Sequence, residues 1–105
     1  MYRATTPTHT FMLPISTDTL SEILVSYKQG SVKLDKHYQD GVLPDGMSLD
    51  GDKVVVKLTQ EETNLFKPNA QADVQVRVLT VSGDALASKR FGITINSVIN
   101  DEVLA

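Results

Sequence analysis

Apolar and polar residues alternate along much of this chain, which is the pattern of strands that bury one face and expose the other. The clearest case is residues 72–80 (ADVQVRVLT), in which three valines share one face, and residues 53–58 (KVVVKL) and 89–97 (KRFGITINS) repeat it. Weaker alternation predicts four more strands, at residues 9–13, 22–29, 32–38 and 47–49. The predicted core consists of Phe11, Leu13, Ile23, Val25, Val54, Val56, Leu58, Leu65, Val74, Val76, Val78, Phe91, Ile93 and Ile95.

Turn-forming residues separate the predicted strands at short intervals. The runs 29–31 (QGS), 50–52 (DGD) and 82–84 (SGD) suit hairpin turns, and the run 40–46 (DGVLPDG) marks an irregular connection. About seven short strands at this spacing predict an all-β fold, an immunoglobulin-like antiparallel β-sandwich. The Cys…Trp…Cys core of true immunoglobulin domains is absent from the sequence.

The stretch Leu58–Phe66 (LTQEETNLF) departs from the alternation and places two glutamates side by side. Thr59 and Glu62 match a capping box, in which the threonine hydroxyl accepts from the Glu62 amide and the Glu62 carboxylate accepts from the Thr59 amide. Neighbouring residues of a first helical turn project about 100° apart, so Glu61 and Glu62 do not face one substrate position as a catalytic pair would. We therefore predict one short helical turn at residues 60–66, with Thr59 and Glu62 as its structural cap.

Length and composition indicate a soluble protein with a single core. The chain has 105 residues, of which 41% are hydrophobic, and a formal charge of −3, which suits one domain without metal or disulfide staples. We predict a flexible N-terminal arm at residues 1–8, one β-sandwich domain at residues 9–99 and a C-terminal tail at residues 100–105. The start lacks the basic-then-apolar layout of a signal peptide and no apolar run is long enough to cross a membrane, so we expect synthesis in the cytoplasm and no membrane partner.

No familiar catalytic, cofactor or metal constellation stands out. Without cysteine there is no thiol nucleophile or thiolate zinc site, and neither a G-x-S-x-G motif nor a phosphate-binding glycine loop is present. Two histidines, His9 and His37, are too few for most zinc sites. We therefore expect no enzyme activity, no cofactor and no metal, although an ion at the Asp-rich loop 40–52 stays open. Scattered Lys and Arg under an acidic balance argue against nucleic acid.

The two ends and a few outward-facing apolar side chains are candidates for protein contacts. Residues 1–8 and the tail would fray in a free domain, or add a strand to a neighbour's sheet edge in an assembly. Single exposed apolar residues are common, so each alone is weak support. The predicted partner-contact residues are Tyr2, Arg3, Val55, Leu79 and Val81.

Four stretches resemble small virion proteins of tailed bacteriophages and prophages, namely residues 2–14 (YRATTPTHTFMLP), 56–63 (VKLTQEET), 75–80 (QVRVLT) and 83–88 (GDALAS). With the strands between them they cover most of residues 2–99. The resemblance implies a compact β-sandwich that acts as a structural or attachment part of a virion. Its partners would be other virion proteins of the capsid, tail or baseplate, with the protein oligomeric in the assembly. The resemblance carries over no catalytic residue.

Two other classes of function stay open. One is a carbohydrate-binding module for adsorption to the host surface, using loops such as residues 41–52, although aromatic residues are only 6% of the chain. The other is a small phage-encoded regulatory or inhibitory protein that binds a host protein.

Overall fold

The structure, a computed structural model, describes all 105 residues and places about half of them in β-strands. Its elements are β1 (Thr8–Met12), β2 (Leu20–Gln29), β3 (Val32–Gln39), β4 (Met47–Asp50), β5 (Lys53–Lys57), α1 (Gln60–Thr63), β6 (Ala70–Thr80), β7 (Ala85–Ala87) and β8 (Phe91–Ile95). A single 3₁₀ turn at Thr17–Thr19 leads into β2. Neither helical segment has the length and apolar character needed to cross a lipid bilayer.

The strands form two sheets that enclose one core. In the smaller sheet β5 lies between β1 and β4, and in the larger sheet the order is β3, β2, β6, with β7 and β8 following one another along the far edge of β6. Every strand pair is antiparallel, which confirms the predicted all-β sandwich. The strand order also fits the predicted immunoglobulin-like arrangement, because β1, β5 and β4 lie as strands B, E and D do, and β3, β2, β6 and β8 lie as strands C′, C, F and G do.

Alternation along the paired strands decides which side chains meet in the core. β2 and β6 place Val25 opposite Val76, and both side chains are buried. β5 closes the core from the smaller sheet with two fully buried valines. Burying one such side chain stabilises the fold by about 1.5–3 kcal/mol. The buried apolar residues are Leu20, Ile23, Val25, Tyr27, Met47, Val54, Val56, Leu58, Phe66, Ala72, Val74, Val76 and Ile95.

The helical turn is shorter than predicted, and this changes which residue it buries. α1 ends at Thr63 rather than at residue 66. The chain then turns, so Leu65 is 51% exposed and Phe66 fills the core in its place. The prediction that Leu65 belongs to the core was therefore wrong, because it assumed one more turn of helix.

Phe91 is the second predicted core residue that lies outside the core, with 43% of its surface exposed. It begins an edge strand, so neighbouring side chains cover it incompletely, and its ring meets that of Phe11 at 6.0 Å between centroids. Four other predicted residues are half-buried against the core, namely Phe11, Leu13, Val78 and Ile93. The core residues outside the predicted set are Leu20, Tyr27, Met47, Phe66 and Ala72.

The structure has eight strands rather than about seven, because β7 intervenes between the two strands that flank the predicted hairpin. Between β7 and β8 the edge is interrupted at Ser88. The Ser88 amide donates to the Val76 carbonyl at 2.8 Å, while the Ser88 Oγ accepts from the Val76 amide at 2.9 Å. A side-chain oxygen thus replaces the backbone acceptor that an unbroken strand would supply.

The first residues of the chain contact both sheets. The Met1 nitrogen donates to the Thr94 carbonyl at 2.7 Å, and Tyr2 forms a parallel bridge with Asn96 next to β8. The chain then crosses to the smaller sheet, where β1 pairs with β5. On the way, the Thr5 amide donates to the buried Thr63 hydroxyl at 3.2 Å. The division into arm, sandwich and tail stays a prediction, but in this structure the arm is hydrogen-bonded to the sandwich.

Candidate functional site

The two neighbouring glutamates have separate roles in the structure. The Thr59 Oγ1 accepts from the Glu62 amide at 3.1 Å and the Glu62 Oε1 accepts from the Thr59 amide at 2.9 Å, so both hydrogen bonds of the capping box are present. Glu61 lies exposed in the same turn. The two carboxylates therefore do not converge on one position.

Glu62 also forms an ion pair that was not among the predictions from the sequence. Its Oε2 lies 2.6 Å from the Nζ of Lys36, with 18% and 10% of the two side chains exposed. The same Nζ donates to the Asp45 carbonyl at 3.0 Å. Burial alone would raise the pKa of Glu62, but hydrogen bonds from Lys36 and Thr59, together with the Lys36 charge, hold that pKa below its usual value. Glu62 is therefore charged at neutral pH.

A hydrogen bond between Tyr27 and His9 lies near this ion pair. Tyr27 is fully buried, and its hydroxyl lies 2.8 Å from the His9 Nδ1. Burial, and then the nearby Glu62 carboxylate, raise the pKa of Tyr27 well above its ordinary value. Burial, and then the positive amino-terminal charge, lower the pKa of His9. The phenol thus stays protonated and the imidazole neutral at pH 7, which fits a phenol that donates to Nδ1.

These four residues, which we call the polar cluster (His9, Tyr27, Lys36 and Glu62), come from β1, β2, β3 and α1. Within it His9 pairs with Tyr27 and Lys36 pairs with Glu62, so one contact joins β1 to β2 and the other joins β3 to α1. A signal for it exists in the sequence. Lys36 occupies the inward position of β3, on the same face as Leu34 and Tyr38, and a lysine at a buried position requires a carboxylate partner.

The residues considered as metal ligands lie apart. His9 belongs to the polar cluster. His37 projects from the outer face of the larger sheet, where its Nε2 lies 2.9 Å from the Glu22 Oε1. No group of three or more His, Cys, Asp or Glu side chains is brought together to hold a metal ion. In the Asp-rich loop, the Asp45 contact to Lys36 uses the backbone carbonyl rather than the carboxylate.

One side of the sandwich is apolar and open. It lies between the two sheet edges formed by β1 and by β7 with β8, and we call it the open side. Phe11 meets Phe91 across its middle. A hollow lies on each side of this contact, and the more apolar one is lined by Met12, Leu13, Pro14, Ile15, Val76, Val78, Leu86, Ala87 and Ser88. Met12 is 71% exposed and Leu86 48%, so apolar side chains face solvent here.

The backbone of β1 has unpaired groups along the open side. Hydrogen bonds run from the Leu13 amide to the Asp52 carbonyl at 2.8 Å and from the Leu58 amide to the Pro7 carbonyl at 3.0 Å. Alternation along an antiparallel pair then directs the odd-numbered residues of β1 toward β5. The amides and carbonyls of Thr8, Thr10 and Met12 consequently point away from β5, along a free strand edge.

The predicted partner-contact residues lie in separate places. Tyr2 and Arg3 are beside the end of β8, with Tyr2 56% exposed. Val55 is half-buried on the outer face of β5, and Leu79 is half-buried on the outer face of β6, near the exposed Val81 in the following turn. No single surface gathers all five, and their contact role stays a prediction. The apolar residues that do cluster, Met12, Leu86 and Phe91, were not assigned to contacts from the sequence.

Sequence comparison gives the chain no relative from which a role could be carried over. The structure itself offers two features to consider. The polar cluster is enclosed and its side chains are paired with one another, whereas the open side has exposed apolar side chains and an unpaired edge of β1. No protein-family model matches this chain, and no curated protein matches it.

Proposed function

We propose that this protein is a non-enzymatic component of a bacteriophage particle, structural or involved in attachment, that acts through contacts with other virion proteins. The observation that supports contact-based action is the open side, where exposed Met12, Leu86 and Phe91 flank a free strand edge. The assignment to a virion, as a part of its capsid, tail or baseplate, rests on the sequence resemblance alone. The protein would be made in the host cytoplasm.

The geometry of the open side favours an extended segment as its occupant. Backbone groups of Thr8, Thr10 and Met12 are positioned to pair with an added strand, and such pairing supplies affinity through main-chain hydrogen bonds. The hollows on either side of Phe11 and Phe91 would take apolar side chains from the added strand. We therefore propose a partner virion protein that presents an extended segment with apolar residues at every second position.

The arrangement of the polar cluster favours a structural role over a catalytic one. Tyr27 has no exposed surface, and the Lys36 ammonium is engaged by Glu62 and the Asp45 carbonyl. A general acid or base has to reach a substrate atom within hydrogen-bonding distance. Since these groups are directed at one another, their arrangement serves the stability of the fold.

Particle composition provides the test. Mass spectrometry and immunogold labelling of purified particles should detect the protein, and a Met12→Glu/Leu86→Glu variant should be lost from them because two carboxylates oppose docking of an apolar strand. Ser48→Glu, on the exposed face of β4, is the matched control and should be retained. Absence of the unmodified protein from particles would refute the virion role and favour a regulatory protein bound to a host target. Retention of the double variant would refute the open side as the contact surface.

A further inference from the structure

The C-terminal residues lie across α1 and the arm, where three side chains contact them. The Gln60 side chain donates to the Leu104 carbonyl at 3.0 Å and accepts from the Leu104 amide at 2.8 Å, as a neighbouring strand would. The Asn64 Nδ2 donates to the Asp101 carbonyl at 2.9 Å. The Arg3 guanidinium lies 2.7 Å from the Asp101 carboxylate. We call these three receiving residues, Arg3, Gln60 and Asn64, the tail seat.

The tail is held by polar contacts while its apolar side chains remain in water. Ile99 is fully exposed, Leu104 is 73% exposed and Val103 42%. No strand or helix includes residues 97–105. Solvent-exposed hydrogen bonds and ion pairs of this kind open at low cost. The tail is therefore able to leave its seat without disturbing the core.

The tail seat also retains polar atoms that the tail does not satisfy. The Arg3 Nε and the Asn64 Oδ1 are buried and have no hydrogen-bond partner. One is a donor and the other an acceptor, and a peptide unit of an extended chain offers the complementary pair. Because the tail follows β8 through only a few residues, its position over the seat is restricted by that attachment. A segment that arrives from another molecule lacks this restriction.

We propose that the tail seat binds the C-terminal tail of a second copy of this chain, so that two copies exchange tails reciprocally. This inference deepens the proposed function, on which it rests, by naming a second copy as one partner. Charge complementarity supports it, since every copy carries both Arg3 and the Asp101 that it binds. Exchange preserves the polar contacts seen within one chain, which makes swapping of an identical element a low-cost route to a dimer. Exposed Val103 and Leu104 would then lie between the copies.

Cross-linking between single-cysteine variants tests the exchange, because the chain has no cysteine of its own. Ala4 and Leu104 line the same hollow, and neither Ala4→Cys nor Leu104→Cys removes a residue of the seat. When the two full-length variants are mixed, a short bismaleimide should join them into a covalent heterodimer. Adding Gln60→Ala to the Ala4→Cys chain should reduce the yield at least several-fold. Ser48→Cys mixed with Leu104→Cys measures random collision.

The double variant Ala4→Cys/Leu104→Cys shows whether the two positions are within reach of the reagent inside one chain. If it is joined internally while the mixed variants give no more heterodimer than the Ser48→Cys control, the tail binds only its own chain and the proposal is overturned. Heterodimer yield that is insensitive to Gln60→Ala would also overturn it, since contact would then bypass the seat. These experiments use purified protein, so their outcome is independent of whether particles contain it.

Discussion

The Nζ of Lys36 and the Oε2 of Glu62 lie 2.6 Å apart, joining the edge strand β3 to the helical turn α1. Glu62 serves two structures at once, because its other oxygen completes the capping box with Thr59. Removal of the Glu62 side chain therefore has two separate consequences. The capping box loses one of its hydrogen bonds, and the buried Lys36 ammonium loses its counter-charge.

The substitution Glu62→Gln separates these consequences. Glutamine preserves the cap, since its amide oxygen accepts from the Thr59 amide, but it leaves Lys36 without a counter-charge. We expect a loss of about 2–3 kcal/mol in the free energy of unfolding measured in urea, below the range for a fully enclosed pair. The cap alone would predict about 1 kcal/mol or less for Glu62→Ala.

The control for this prediction is the double variant Lys36→Met/Glu62→Gln. It removes the unpaired charge and should regain most of the lost stability. If Glu62→Gln unfolds at the same urea concentration as the unmodified protein, the ion pair contributes nothing and Glu62 acts only as a cap.

The stability of the fold should depend on pH through His9. Its folded-state pKa is lowered by burial and then by the amino-terminal charge, so the unfolded chain takes up the proton first. The stabilisation is complete above the unfolded pKa of about 6.5 and is lost as pH falls through that value toward the lower folded-state pKa. We expect the free energy of unfolding to decrease between about pH 7.5 and 5.5. The pKa of Glu62 is likewise lowered, but from 4.5, so its effect lies at more acidic pH.

Urea titrations at several pH values would measure this dependence. In His9→Gln the decrease between about pH 7.5 and 5.5 should disappear, because glutamine does not titrate there. His37→Gln is the matched control and should retain it. An unchanged pH profile for His9→Gln would show that His9 is not the responsible group.

Two glycines with similar backbone angles should respond differently to alanine. Gly46 has φ +83° and a Cβ there would collide with the Lys57 carbonyl oxygen, whereas Gly41 has φ +76° and open space around it. We expect Gly41→Ala to cost about 1 kcal/mol, from the positive φ alone, and Gly46→Ala about 3 kcal/mol or more. Thermal unfolding of both variants measures the difference. Equal melting temperatures would contradict the close approach of the loop to β5.

Removal of the Ser88 hydroxyl should expose a weak point in the edge of the larger sheet. In Ser88→Ala the Val76 amide loses its acceptor, and an unpaired buried donor costs about 1–3 kcal/mol. Hydrogen exchange should therefore accelerate at the Val76 amide more than at amides of β5. The exposed Ser48, changed to alanine, serves as control. Unaltered protection at Val76 would mean that another acceptor replaces the hydroxyl.

The local alternation of apolar and polar residues was sufficient to predict much of the fold. The alternation in β2, β5 and β6 predicted buried Ile23, Val54 and Val74, because a two-residue period requires only that one face be covered. The capping box was similarly readable, since both of its residues lie within four positions of each other. β7 was missed because three residues, ALA, are too few to display a period.

The long-range features could not be read in this way. Lys36 and Glu62 are 26 positions apart in sequence, and only the packing of β3 against α1 brings them together. Leu65 and Phe66 are both apolar, and the choice between them depended on where the helix ended. The open side depends on which strand edges remain unpaired, a property of the whole strand order rather than of any segment.

The parallel pairing of residues 1–3 with the end of β8 has a mechanical consequence. Three hydrogen bonds connect them, from Met1 to Thr94, from Asn96 to Met1 and from Arg3 to Asn96. The two segments run in the same direction. If the amino terminus and the tail are pulled in opposite directions along that axis, the two segments are sheared past each other. All three bonds then bear the force together, instead of breaking one after another as in a hairpin pulled open from its end.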